Sequence, residues 1–96
     1  MSSPWWLYMI ECRGGGIYIG IANDVDRRYG EHVAGTGARY TRLNPPIRLL
    51  AKLEFTNRKS AAQEEYRMKR LSTLEKRQWA WALGVGPREL SNSPKS

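Results

Sequence analysis

Two phenols, a guanidinium, an imidazole and a carboxylate stand in this 96-residue sequence at spacings that can bring them to one face. Tyr8 and Tyr18 lie ten residues apart across Gly14-Gly15-Gly16, and a hairpin turn centred near Arg13 sets them roughly opposite each other on neighbouring strands. Gly20 falls on the same face, where the missing side chain leaves room for a ligand or another backbone. Arg28 and His32 are spaced i, i+4, so a helix projects both from one side. Further on, Ala61, Glu65, Met68 and Ser72 form a helical stripe that turns a carboxylate inward. A guanidinium presents a planar fork to phosphate oxygens, a carboxylate can hold a divalent cation, and phenol or imidazole can carry a proton. Each group also has a plainer reading. The tyrosines can be cross-strand packing partners, Arg28 and His32 a solvated helix face, and Glu65 half of a buried salt bridge with a basic loop residue such as Arg39 or Arg42.

The elements that must position these groups are short. Trp5 to Glu11 is an aromatic and aliphatic run, and Gly16 to Ala22 alternates Ile17, Ile19 and Ile21 against Tyr18, Gly20 and Ala22, the period of a half-buried strand. The glycine triplet between them is a turn rather than a phosphate loop, since no Gly-Lys-Ser/Thr follows. Asn23 is the expected N-cap of a helix that carries Asp24 and Asp26 in its first turn and stops at Gly35. Residues 35 to 46, rich in Gly, Pro and Arg, predict a cationic loop. Ile47 to Phe55 suits a third strand, and a helix is expected from about Ala61 to Leu71. Ser72 and Glu75 match a capping box, opening a last helix that carries Leu74, Trp79, Trp81 and Leu83 and ends at Gly84. Residues 1–85 thus form one domain in the order β-β-α-β-α-α, and residues 86–96 a flexible C-terminal tail.

Composition narrows the function. No apolar stretch approaches the roughly 20 residues that cross a bilayer, and no signal peptide is evident, so a cytoplasmic protein is expected. Cys12 is the single cysteine, which excludes an intrachain disulfide and a Cys-based zinc site. It has no evident activation as a thiol nucleophile. A net charge of +7 draws in a polyanion, and nucleic acid is the leading partner class. Arg27, Arg39, Tyr40, Arg42, Lys52, Arg58 and Lys59 are the expected seat of the nucleic-acid backbone. Nothing resembles a sequence-reading module, so strict site specificity is not expected. Trp79 and Trp81 read as core or interface residues, whereas Trp5 and Trp6 can stack on unpaired bases.

The hairpin with Leu7-Tyr8-Met9 and Tyr18-Ile19-Gly20, the following R-R-Y-G-E-H and the later E-E-Y-R-M-K-R-L together resemble the GIY-YIG nuclease superfamily. Trp5 to Tyr8, Gly35 to Arg39 and Glu65 to Leu71 are similar to its small single-domain YhbQ-like group. The first triplet departs from Gly-Ile-Tyr but keeps the phenol. The resemblance implies an α+β fold of the α/β sandwich type, a small three-stranded antiparallel sheet flanked by helices. It places the two motif tyrosines at Tyr8 and Tyr18, the helix arginine at Arg28 rather than Arg27, a histidine at His32 and the metal-binding glutamate at Glu65 rather than Glu64. It implies an endonuclease that hydrolyses DNA, with Tyr8 as general base, Tyr18 positioning water or phosphate, Arg28 on the phosphate and Glu65 holding one Mg2+ (or Mn2+) ion. Preference for ends, flaps, gaps, branched or single-stranded DNA, a repair role and a monomer or weak homodimer are further expectations. Two other readings stay open: a binding protein of the same fold without hydrolysis, and a nuclease subunit that needs a partner.

Overall fold

The computed structural model describes residues 4–83, except for the side chain of Leu83. Strands β1 (Trp5–Cys12) and β2 (Ile17–Ala22) form the hairpin, followed by helices α1 (Val25–Ala34) and α2 (Arg39–Leu43). Strand β3 (Pro46–Phe55) and helices α3 (Arg58–Lys69) and α4 (Thr73–Leu83) complete the chain. All strand pairs are antiparallel, in the order β2-β1-β3. The fold is α+β as expected, and its main elements follow the order β-β-α-β-α-α, with α2 as a short addition.

Because β1 is central, it is buried on both faces, and its alternation sorts the core into two layers. Leu7 and Met9 pack with Ile17, Ile19, Ala51, Met68 of α3 and Ala80 of α4. Tyr8, Ile10 and Cys12 pack on the other face with Ala22 and Val25, backed by Tyr29 of α1. A bulge at Leu50, between the pairs Met9↔Ala51 and Ile10↔Leu49, puts two consecutive β3 residues into the first layer. Cys12 is fully buried and its thiol is pushed up by burial, which suits packing rather than chemistry.

The turn between β1 and β2 corrects the expected register. It is a three-residue 3-10 turn over Arg13–Gly15, with Gly14 and Gly15 at positive φ, so the hairpin is centred on Gly14 rather than near Arg13. Tyr8 therefore pairs with Gly20, and Tyr18 with Ile10. The two phenols share a face diagonally, with ring centroids 6.3 Å apart, rather than directly opposite.

Local chemistry moves three other boundaries. Asp24, not Asn23, caps α1, its carboxylate accepting from the Arg27 N–H at 3.1 Å. The expected loop 35–46 contains α2, whose residue Thr41 is held inward by a buried histidine. Helix α3 begins at Arg58 rather than near Ala61, because the Asn57 side chain accepts from Ser60 N–H at 2.8 Å. The stop at Gly84 and the tail 86–96 lie outside the described residues.

A capping box opens α4, and Arg77 fastens the helix to the hairpin. The capping box forms reciprocally: Ser72 N–H donates to Glu75 Oε1 at 2.8 Å, and Glu75 N–H donates to Ser72 Oγ at 3.1 Å. Arg77 then reaches Glu11 on β1 at 3.2 Å and the Gly15 carbonyl at 3.0 Å, while Arg48 of β3 holds the same carboxylate at 2.8 Å. Trp79 packs half-buried against the core, whereas Trp81 is 55% exposed. Ser72→Ala is expected to cost about 1 kcal/mol, lowering the thermal midpoint by roughly 4–8 °C for a domain of this size. Calorimetry of the two proteins checks this, and an unchanged midpoint would remove the capping box as a determinant of α4.

Candidate active site

The hairpin, α1 and α3 bring the five expected residues around one buried hydroxyl. Tyr8 is 1% exposed, and its Oη lies 2.9 Å from Nε2 of His32, itself fully buried on the inner side of α1. The Tyr18 ring closes the group, 4.9 Å from the imidazole. Arg28, one turn before His32, lies beside the Tyr8 hydroxyl and favours its ionised form. Glu65 projects from α3 close enough to add an opposing field at Tyr8.

Two glycines make this packing possible. A methyl group at position 20 would fall inside the Tyr8 hydroxyl and ring, so the close approach expected at Gly20 is occupied by the protein's own phenol. At Gly37 a Cβ would collide with the His32 ring, which explains why the chain after α1 can fold over the imidazole.

The proton inventory follows from the hydrogen-bond network. Thr41 has one hydroxyl proton and donates it to the Ala38 carbonyl at 3.0 Å. Its oxygen lies 2.7 Å from Nδ1 of His32, and the Tyr8 hydroxyl lies 2.9 Å from Nε2, so both ring nitrogens are hydrogen-bonded. The Ala38 N–H also donates to Nδ1 at 3.5 Å. Burial, reinforced by the Arg28 charge, lowers the His32 pKa, so the ring is neutral at neutral pH. Burial and the neighbouring Tyr18 raise Tyr8 to about 12 against the opposing pull of Arg28.

The charged members are less enclosed. Arg28 donates to Glu31 at 2.7 Å, and Arg27 also approaches Glu31 at 3.5 Å. Glu31 is lowered first by its hydrogen bond from Arg28. Glu65 is paired with Lys69 of its own helix at 3.1 Å, rather than with the loop residues Arg39 or Arg42. Its side chain is 22% exposed, open to a cation. No group of three or more His, Cys, Asp or Glu side chains converges to hold a metal among the described residues. A single carboxylate with room for waters and phosphate oxygens suits Mg2+, which is usually held by one or two carboxylates.

Of the expected nucleic-acid contacts, Arg27, Arg39, Tyr40, Arg42, Lys52, Arg58 and Lys59 are all exposed. Tyr40 stacks on Tyr18 at 6.0 Å, so α2 joins the candidate site to the basic surface. Lys52 lies over Trp6 and Arg58 over Trp5, giving both tryptophans a cationic neighbour.

The description "GIY-YIG catalytic domain" matches residues 4–78, most of the chain. The chain belongs to the GIY-YIG family. This is a nuclease family, and it includes the hairpin tyrosines, Arg28 and Glu65 within the matched span. A UPF0213 protein of Xanthomonas campestris pv. campestris is 44% identical over 86 residues, covering 90% of this chain and 84% of its own length. One from Cupriavidus necator is 49% identical over 76 residues, covering 79% and 83%. The solution NMR structure of a UPF0213 protein from Bacillus halodurans superposes with a TM-score of 0.56 at 38% identity, over 97% of this chain and 98% of that one. The resemblance to a small single-domain group of the family is thus borne out.

Sequence reasoning passed over Glu31 and Thr41. The i, i+3 spacing from Arg28 could have flagged Glu31. No sequence signal marked Thr41, whose role depends on how α2 folds back over α1. Two measurements follow. As His32 is the sole histidine, its Hε1 resonance should titrate with a midpoint below the usual 6.5. Because the folded value is depressed, the stability it contributes is present above pH 6.5 and declines as pH falls below that value. A midpoint at or above 6.5 would contradict the neutral buried ring. Gly20→Ala should lower stability by about 1–3 kcal/mol in urea unfolding, through displacement of Tyr8.

Proposed function

We propose that this protein is a metal-dependent endonuclease that hydrolyses DNA phosphodiester bonds, structure-selective or weakly sequence-selective. The observation that carries the reading is the hydrogen bond between the buried Tyr8 hydroxyl and Nε2 of the neutral His32, with Arg28 beside it, and the reading takes Nε2 as the unprotonated nitrogen. A hydroxyl raised to about 12 is not a resident phenolate. Tyr8 therefore works as a proton conductor. The attacking water gives its proton to Tyr8 Oη as the Tyr8 proton passes to His32 Nε2, and the resulting imidazolium keeps its Nδ1–H bond to Thr41.

As the water oxygen bonds to phosphorus, the bond to the leaving oxygen breaks, and that oxygen takes a proton from solvent. Arg28 receives the charge that builds on the phosphate by exchanging its Glu31 partner for phosphate oxygens. Tyr18 packs against His32 and fixes the substrate edge of the site. Glu65 would hold one Mg2+ or Mn2+ ion, which when bound supplies Lewis-acid polarisation of the phosphate. Arg27, Arg39, Arg42, Lys52 and Arg58 would seat the backbone of the nucleic acid. A repair role would suit a small cutter without a sequence-reading module, acting in the cytoplasm as a monomer or weak homodimer.

One observation favours a second reading, binding without hydrolysis: Lys69 neutralises Glu65 without a cation. Cleavage of labelled single-stranded, duplex, nicked, flap and branched DNA separates the two. Wild type should cut with Mg2+ and not without it. Glu65→Ala should abolish cutting while leaving DNA affinity unchanged or slightly tighter, and Tyr8→Phe should lower the rate by about 10²–10⁴ with the fold intact. Identical traces for wild type and Glu65→Ala, with salt-sensitive binding in both, would favour the binder.

A further inference from the structure

Beside the candidate site, between β2, α2 and the junction of α3 and α4, lies a cavity of about 360 Å3. Gly16, Tyr18, Tyr40, Lys69, Thr73 and Lys76 contribute to its walls, and no carboxylate lines it. Two of its residues contact the reaction centre. Tyr18 packs on His32, and Lys69 bonds Glu65.

The walls are chemically divided. On one side the Tyr40 ring stacks on Tyr18, nearly parallel at 23°. Its hydroxyl occupies the space where position 16 would carry a Cβ, so glycine at that position lets the ring lie flat over the hairpin. Tyr40 nevertheless stays 40% exposed, leaving ring surface for another planar group. Lys69, whose ammonium pairs with Glu65, lines the cavity together with Thr73 and Lys76. An aromatic plane and paired cations suit a planar heterocycle carrying a phosphate. A base inside a duplex has both faces covered by its neighbours and cannot lie on Tyr40. An unpaired base can.

We propose that this cavity is a subsite for one unpaired nucleotide adjoining the phosphate to be cut, its base on Tyr40 and its phosphate on Lys69 and Lys76. The inference rests on the nuclease reading and makes it narrower: the substrate would carry a single-stranded or extruded nucleotide at the cut. Tyr40 acts here as a stacking platform rather than a general backbone contact, and Lys69 and Lys76 join the binding surface.

Anisotropy of labelled dT12 and of a 12-base-pair duplex with the full chain in EDTA tests the subsite without cleavage as a readout. Tyr40→Leu should weaken dT12 binding about tenfold while duplex binding stays within about twofold, and Tyr40→Phe should behave as wild type. Lys76→Ala should reduce the slope of log K against log salt for dT12 by about 0.7. Equal losses for both DNA forms, or wild-type dT12 binding in both Tyr40→Leu and Lys76→Ala, would overturn the subsite. The two readings fail separately. No Mg2+-dependent cutting, with the Tyr40-dependent preference intact, would end the nuclease reading and keep the subsite. Glu65-dependent cutting indifferent to Tyr40 and Lys76 would do the reverse.

Discussion

A buried chain of hydrogen bonds, Tyr8 to His32 to Thr41 to the Ala38 carbonyl, sets the constraint that the α1 side of the sheet must satisfy. Tyr8, His32 and Thr41 are each at most 1% exposed, and a polar group so far from water costs about 1–3 kcal/mol if it loses its partner. None of the buried side-chain polar atoms among the described residues lacks one. The requirement propagates outward. Tyr8 can reach His32 only if position 20 carries no side chain, His32 can be covered only if position 37 carries none, and Thr41 can arrive only if the chain after α1 curls into α2. Substitutions that look remote in sequence therefore act on one network, and their effects should not add.

This explains which parts of the structure were legible in the sequence. Strand and helix identities follow from periodicity and capping residues, signals that act within a few positions, and the capping box at Ser72 and Glu75 appears as read. The stop of α1 at Gly35 also depends only on a local left-handed conformation. What local signals could not supply was register and long-range partnership. Either centre of the hairpin puts Tyr8 and Tyr18 on one face, and only the geometry of the Arg13–Gly15 turn selects the diagonal arrangement. Helix α2 was hidden because its Gly-rich and Pro-rich flanks read as loop, while the contact that holds it, Thr41 to His32, spans nine residues. The plainer reading of Glu65, a salt bridge to a loop arginine, differs for the opposite reason: a lysine one turn along the same helix serves as its partner.

The charges are distributed with a bias that the net value of +7 does not reveal. Glu11, Glu31, Glu64 and Glu65 each pair with nearby Arg or Lys, and Asp24 and Glu75 cap helices. Exposed pairs of this kind contribute little stability. Their larger effect is to anchor carboxylates at defined points and leave most of the remaining surface basic. Arg39 and Arg42 on α2, and Lys52 and Arg58 flanking the tryptophans, are therefore the residues whose field a polyanion would meet in the proposed function. Glu31 differs from the others, since the carboxylate that orients Arg28 is also the group a phosphate must displace.

The proposed reaction needs two incompatible environments within a few ångströms, and the sheet provides a means of separating them. A proton acceptor that is neutral at neutral pH has to be dry, because water and nearby cations set how readily imidazole charges, and His32 is enclosed completely. A carboxylate that meets a cation has to stay wet enough to ionise and exchange its partner, and Glu65 stands at the margin with 22% of its side chain in solvent. Tyr8 links the two because it is rooted in the central strand and its buried hydroxyl is hydrogen-bonded to His32 while lying within the fields of Arg28 and Glu65. The high cost of ionising Tyr8 then becomes compatible with its role. A hydroxyl that never has to exist as a free phenolate can pass a proton from the wet side to the dry side in one motion, and the same burial that raises its pKa holds it in line with the acceptor.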